Sequence, residues 1–169
     1  MSAPTATGGR RKLEKLPTGI VSFDVIAKGG LPKNRTTLLS GTAGSGKTVF
    51  AMQFLAAGIR DNGERGVFVT FEESVADIRA NMLEFGWDLA EWERNGLLAF
   101  VDASPDAEVE VIESGPFDLS ALLARMQHAV KKVGATRVSV DSLGAIFTQF
   151  ADQSIVRREL FRIASALKK

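Results

Sequence analysis

Hydrophobic positions along this chain change period several times, and each change marks an element. Gly66-Val67-Phe68-Val69-Thr70-Phe71-Glu72-Glu73 carries an apolar run without alternation, too short for a helix. Such a run predicts a strand buried on both faces, as in a parallel sheet. Arg35–Ser40, Leu97–Val101 and Arg137–Ser142 read as further strands. Helical spacing separates them. Phe50, Phe54, Leu55 and Ile59 predict a helix from Lys47 to about Asp61, ended by Asn62-Gly63. Ile78, Met82 and Phe85 predict another, opened by the Ser74–Asp77 capping spacing and stopped by Gly86. Trp87 and Trp92 flank a shorter one. Leu119, Leu122, Leu123, Met126, Val130 and Val133 share one face of an amphipathic helix over Asp118–Val133. Val156, Leu160, Ile163 and Leu167 line a last helix over Ser154–Lys169. Upstream, Val21–Ile26 predicts a short helix with Thr18 or Ser22 as cap, and Gly29-Gly30-Leu31-Pro32 a turn. Strand and helix alternate, which predicts an α/β fold with a mainly parallel sheet flanked by helices. In such a sheet ligands sit outside the carboxyl ends of the strands.

Composition narrows the picture. The 169 residues, 45% apolar and 24% charged, suffice for one domain with a real core. Residues 1–13 are small and polar and contain the basic cluster Arg10-Arg11-Lys12, so a disordered tail is expected there, followed by one domain over 14–169. A net charge of +1 makes no electrostatic case for DNA or an anionic membrane. With no Cys, disulfides, thiolate metal sites and Cys nucleophiles are excluded. His128 is the only His, without partners for a metal site. No apolar run approaches the ~20 residues needed to span a bilayer, and the N-terminus lacks the apolar core of a secretory signal, so the expected location is the cytoplasm. From Asp102 to Pro116 runs a long loop with five acidic groups around an apolar Val109–Ile112 segment. It reads either as a mobile surface excursion or as a partner-binding loop.

The chemistry is concentrated where strands end. Gly41-Thr42-Ala43-Gly44-Ser45-Gly46-Lys47-Thr48 reads G-x-x-x-x-G-K-T, the phosphate-binding P-loop, between an expected strand and an expected helix. Its glycines let the backbone adopt positive φ and approach an anion without a Cβ in the way. The amides then form a nest at a helix N-terminus. Lys47 would place its charge on the β- and γ-phosphates of ATP, and the Thr48 hydroxyl would ligate Mg²⁺. Asp141, ending an apolar strand, suits the Walker-B carboxylate that holds Mg²⁺ with Thr48. Hydrolysis also needs a group to position or deprotonate water. Glu72 and Glu73 end a neighbouring strand. Since successive strand residues point to opposite faces, one of them should face the γ-phosphate, with Glu72 preferred as base and Glu73 a candidate.

Gly30-Leu31-Pro32, Thr37-Leu38-Leu39-Ser40-Gly41 with the P-loop, Phe68-Val69-Thr70-Phe71-Glu72-Glu73, Phe85-Gly86-Trp87-Asp88, Asp102-Ala103-Ser104-Pro105-Asp106, Phe117-Asp118-Leu119-Ser120 and Val156–Arg162 together resemble the KaiC circadian clock ATPase family. The likeness is to its N-terminal CI ring domain, a RecA-like P-loop NTPase core, and covers roughly residues 14–169. The resemblance implies a hexameric ring with ATP between subunits, and slow hydrolysis with Glu72 as proton acceptor. It implies nucleotide contacts at Gly41, Thr42, Ala43, Gly44, Ser45, Gly46, Lys47, Thr48 and Val49, and at Glu84 (where the family usually has Ser) and Phe85. The 102–117 loop matches the segment that meets the partner protein KaiB, with a different sequence. Family autokinase activity resides in a second domain. A complete RecA-like core would continue with further strands, so this chain reads as incomplete at its C-terminus, with weak or absent ATPase activity on its own. Two alternatives compete: a RecA/RadA-type DNA-dependent ATPase, which the near-neutral charge does not favour, and a non-hydrolysing, nucleotide-dependent assembly scaffold.

Overall fold

The computed structural model describes residues 13–103, 119–142, 144 and 153–167. The apolar run at 66–71 becomes β3 (Gly66–Thr70), every residue of which is buried. It is the middle strand of a parallel sheet, with β4 (Leu98–Asp102) on one side and β5 (Arg137–Asp141) on the other. Alternation across β3 builds two cores. Val67 and Val69 pack with Leu122, Leu123 and Met126 of α5 (Leu119–Val133) and Ile163 of α6 (Gln153–Ala166). Phe68 points the other way, against Met52 and Leu55 of α2 (Lys47–Asn62), Ile78 and Met82 of α3 (Val75–Leu83) and Leu89 of α4 (Leu89–Arg94). The result is three layers, helix–sheet–helix, the expected α/β arrangement of a parallel sheet flanked by helices. Two-sided burial explains why β3 needs no polar face. Each fully buried Val or Phe contributes about 1.5–3 kcal/mol from apolar area removed from water.

Helix ends follow local chemistry. Gly63 closes α2 at φ +64°, a left-handed conformation that favours Gly. Ser74 caps α3 by accepting from Asp77 N–H at 3.1 Å. Asp88 does the same for α4, accepting from Glu91 N–H at 2.8 Å.

Several expectations are corrected. Arg35–Ser40 is not a sheet strand: Thr36–Ser40 runs without ladder pairing, and Leu38 is 74% exposed. A strand exists only through its neighbours, and among the described residues none pairs with this stretch or with the second edge of β5. Leu31–Pro32 is not just a turn but the short strand β2, antiparallel to β1 (Lys15–Leu16). Neither Thr18 nor Ser22 caps α1 (Val21–Ile26). Instead the Asp24 carboxylate reaches back from inside the helix to accept from Thr18 N–H, Gly19 N–H and the Thr18 hydroxyl. That satisfies the loop donors, and the Thr18 hydroxyl in turn accepts from Ile20 N–H at 3.2 Å. Trp92 lies inside α4, and Phe85 lies beyond α3, half exposed and stacked on Trp87. The expected tail, except Leu13, and the 102–117 loop beyond Ala103 lie outside the described residues.

Candidate nucleotide-binding site

The sheet register assembles the site. Thr70 of β3 lies level with Asp102 of β4 and Asp141 of β5, so the three strands end together. The chain passes from β3 to β4 on one side and then to β5 on the other. The end of the β3–β5 pair is therefore a topological switch point, where ligands of open α/β sheets bind.

The glycine loop reaches this end through α2. Gly44 and Gly46 have φ of +76° and +82°, and a Cβ on either would meet nothing within 4 Å. At Gly41 a Cβ would lie 2.5 Å from Ser45 Oγ, so any larger residue would make that hydroxyl shift. Gly46 is the N-cap residue of α2, and no side chain caps the helix. The first-turn amides of Lys47, Thr48 and Val49 are thus left as donors for an anion. Lys47 Nζ donates to Thr42 O at 2.9 Å, which holds its ammonium against the loop. Thr42, Ala43 and Ser45 are exposed within it.

Sequence reasoning missed how α2 is docked. Arg137, Ser139 and Asp141 occupy alternate positions of β5, so they share one face. Each reaches α2: Arg137 Nη1 donates to Phe54 O at 2.8 Å, Ser139 Oγ to Ala51 O at 2.9 Å, and Asp141 Oδ2 accepts from Thr48 Oγ1 at 2.5 Å. The steps of two on the strand match steps of three on the helix. Arg137 is the strongest rung. Its side chain is 1% exposed; it also donates to Pro17 O and pairs with Glu64, and its guanidinium lies 4.5 Å over the Phe54 ring. Its Nη2 has no hydrogen-bond partner among the described residues. The alternation of Arg137, Ser139 and Asp141 with Val138 and Val140 was the available signal.

The expected metal ligands Thr48 and Asp141 are therefore in direct contact. A hydroxyl and a carboxylate converging beside uncapped amides form a hard-oxygen donor set suited to Mg²⁺ with substrate phosphates and water completing the shell. Among the described residues no cluster of three or more His, Cys, Asp or Glu could hold a metal by itself.

Glu72 and Glu73 follow β3 in a bend, both exposed. Glu72 Oε1 accepts from Ser142 Oγ at 2.7 Å, which turns it to the β5 end where Asp141 lies. For Glu73 it is the main-chain oxygen that is engaged, accepting from Thr70 Oγ1 at 2.7 Å. Glu84 and Phe85, at the end of α3, make no hydrogen bond or ring contact with the glycine loop among the described residues. His128 is exposed on α5, beside a shallow recess of about 400 Å³ over β4. Among the described residues no helix is long and apolar enough to cross a membrane.

Comparison with known proteins fits this geometry. A family model described as "ATPase: KaiC" matches residues 16–169. The circadian clock protein KaiC3 of Synechocystis sp. is 56% identical over 157 residues, covering 93% of this chain and 31% of that protein. The circadian clock oscillator protein KaiC of Thermostichus vulcanus is 52% identical over 168 residues, 99% of this chain and 32% of its own. KaiC of Synechococcus elongatus is 48% identical over 169 residues, 100% of this chain and 32% of its own. The chain thus spans about a third of the length of these relatives.

Proposed function

Because the chain belongs to the KaiC family of ATPases, we propose that it binds Mg-ATP at Gly41–Thr48 and hydrolyses it slowly, within a KaiC-like hexameric ring serving circadian timing or signalling. The observation that carries the reading is the Thr48–Asp141 contact at 2.5 Å beneath an uncapped glycine loop, with the Glu72 carboxylate tied to the residue after Asp141. The loop amides and Val49 N–H bind the phosphates, and Lys47 exchanges its Thr42 carbonyl for phosphate oxygens. Mg²⁺, when bound, neutralises charge on those oxygens, held by Thr48 and Asp141. Glu72 accepts the proton of the attacking water, and Glu73 is the second candidate. Glu84 and Phe85 take part only as nucleotide contacts.

On this reading ATP lies between subunits, so half of each site comes from a neighbour, and the isolated 169-residue chain is weakly active or inactive. The 102–117 loop is the proposed contact for a KaiB-like partner, and the protein works in the cytoplasm. The family match lends no support to a DNA recombinase. Glu72→Gln tests the catalytic claim against a scaffold role. Turnover should fall by about 10²-fold or more while nucleotide binding and assembly persist. Undiminished turnover in the assembled protein would remove Glu72 from the mechanism.

A further inference from the structure

One contact at the strand ends is not used by phosphate or metal binding. Ser142 Oγ donates to Glu72 Oε1 at 2.7 Å, across 70 residues of sequence. We infer that Ser142 is a positioning residue for hydrolysis, holding one oxygen of the Glu72 carboxylate and leaving Oε2 as the proton acceptor. This rests on the proposed role of Glu72 as base.

Three observations carry it. First, the contact is built by the sheet. Thr70 and Asp141 are level in the ladder, and Phe71 N–H donates to Asp141 O at 2.9 Å, so the two strands are held together up to the residues before Glu72 and Ser142. Second, Glu72 has left the strand and its side chain is exposed, so without a tether it would sample several rotamers. A general base must be held within hydrogen-bond reach of its water. Third, the pair lies against a position without a side chain: a Cβ on Gly144 would lie 3.2 Å from Ser142 Oγ and 4.0 Å from Glu72 Oε1. A neutral hydroxyl suits the task, since it orients the carboxylate without cancelling its charge as an Arg or Lys would. The contact also separates the two neighbouring carboxylates. Glu72 has this tether, and no such bond to the Glu73 carboxylate is present among the described residues.

In the step this serves, Glu72 Oε2 takes a proton from water as the water oxygen bonds to the γ-phosphorus. The bond from that phosphorus to the bridging oxygen breaks, and ADP leaves with its electron pair. The proton on Glu72 passes to product phosphate or solvent, and the Ser142 hydroxyl keeps its own throughout.

The test is steady-state ATPase kinetics on the natural full-length protein, with Mg-ATP binding measured alongside. Ser142→Ala should lower kcat about tenfold or more with KM within about twofold of wild type. Ser142→Thr, which keeps the hydroxyl, should restore most of the rate. Gly144→Ala should give a smaller loss of the same kind, an independent readout if Ser142→Ala folds poorly. In a Glu72→Gln background, Ser142→Ala should have no further effect. Wild-type kcat in Ser142→Ala, or a joint loss of kcat and nucleotide binding that Thr does not rescue, overturns the positioning role. Full turnover in Glu72→Gln alone defeats the prior reading instead, so the two failures are distinguishable.

Discussion

Replacing Arg137 by Ala should destabilise the domain by about 3 kcal/mol, although the residue touches no substrate. Its side chain is 1% exposed and makes three polar contacts, to Pro17 O at 2.7 Å, Phe54 O at 2.8 Å and the Glu64 carboxylate. Removing one partner of a buried ion pair costs about 3–5 kcal/mol when the other is left stranded. Here the low end applies, for three reasons. The Glu64 side chain is 25% exposed, so its charge rehydrates in the variant. Phe54 lies inside α2, so its carbonyl retains a helical partner. Finally, Nη2 of the native guanidinium is buried without a partner, so part of its desolvation is already uncompensated. Arg137→Met, which keeps packing on the Phe54 ring, should lose less, about 2 kcal/mol. Urea denaturation, with midpoint and slope compared across wild type, Met and Ala variants, measures this. If both variants unfold within about 0.5 kcal/mol of wild type, the rung from β5 to α2 is not an important support, and the account of how Thr48 reaches Asp141 weakens with it.

Three further outcomes follow from the same contacts. Gly58→Ala should destabilise by about 1–2 kcal/mol despite a helix-propensity gain near 1 kcal/mol, because its Cβ would lie 2.7 Å from Arg137 Cδ and Nε; in an Arg137→Ala background the sign should reverse, as a double-mutant cycle by denaturation would show. Thr48→Ala should weaken nucleotide binding about tenfold in the presence of Mg²⁺ and much less in its absence, read by calorimetric titration with and without chelator; equal losses in both conditions would argue against a metal role for the hydroxyl. Arg79→Ala should change stability by less than about 1 kcal/mol, since Arg79 is 41% exposed in its pair with Glu93; a larger shift in the urea midpoint would mean that the guanidinium's placement over Phe100 matters more than the ion pair.

The sequence by itself determined what is local or periodic. The apolar run of β3, the faces of α2 and α5, the capping Ser74 and the nest-forming glycines act through residues only a few positions apart, so their consequences can be read without knowing the fold. The P-loop pattern over Gly41–Thr48, and the places of Asp141 and Glu72 at or just past a strand end, were legible for the same reason, each resting on residues a few positions apart. Tertiary structure alone decided three things. It left Thr36–Ser40 unpaired among the described residues, because a strand depends on a neighbour that propensity cannot supply. It turned Arg137, Ser139 and Asp141 into rungs against α2, and it gave Glu72 rather than Glu73 a hydroxyl partner. These are bonds between residues 70 to 93 positions apart. They depend on the ladder placing Thr70 beside Asp141, and on a helix whose three-residue steps match a strand's two. No single segment encodes that match; it appears only when strand and helix are packed together.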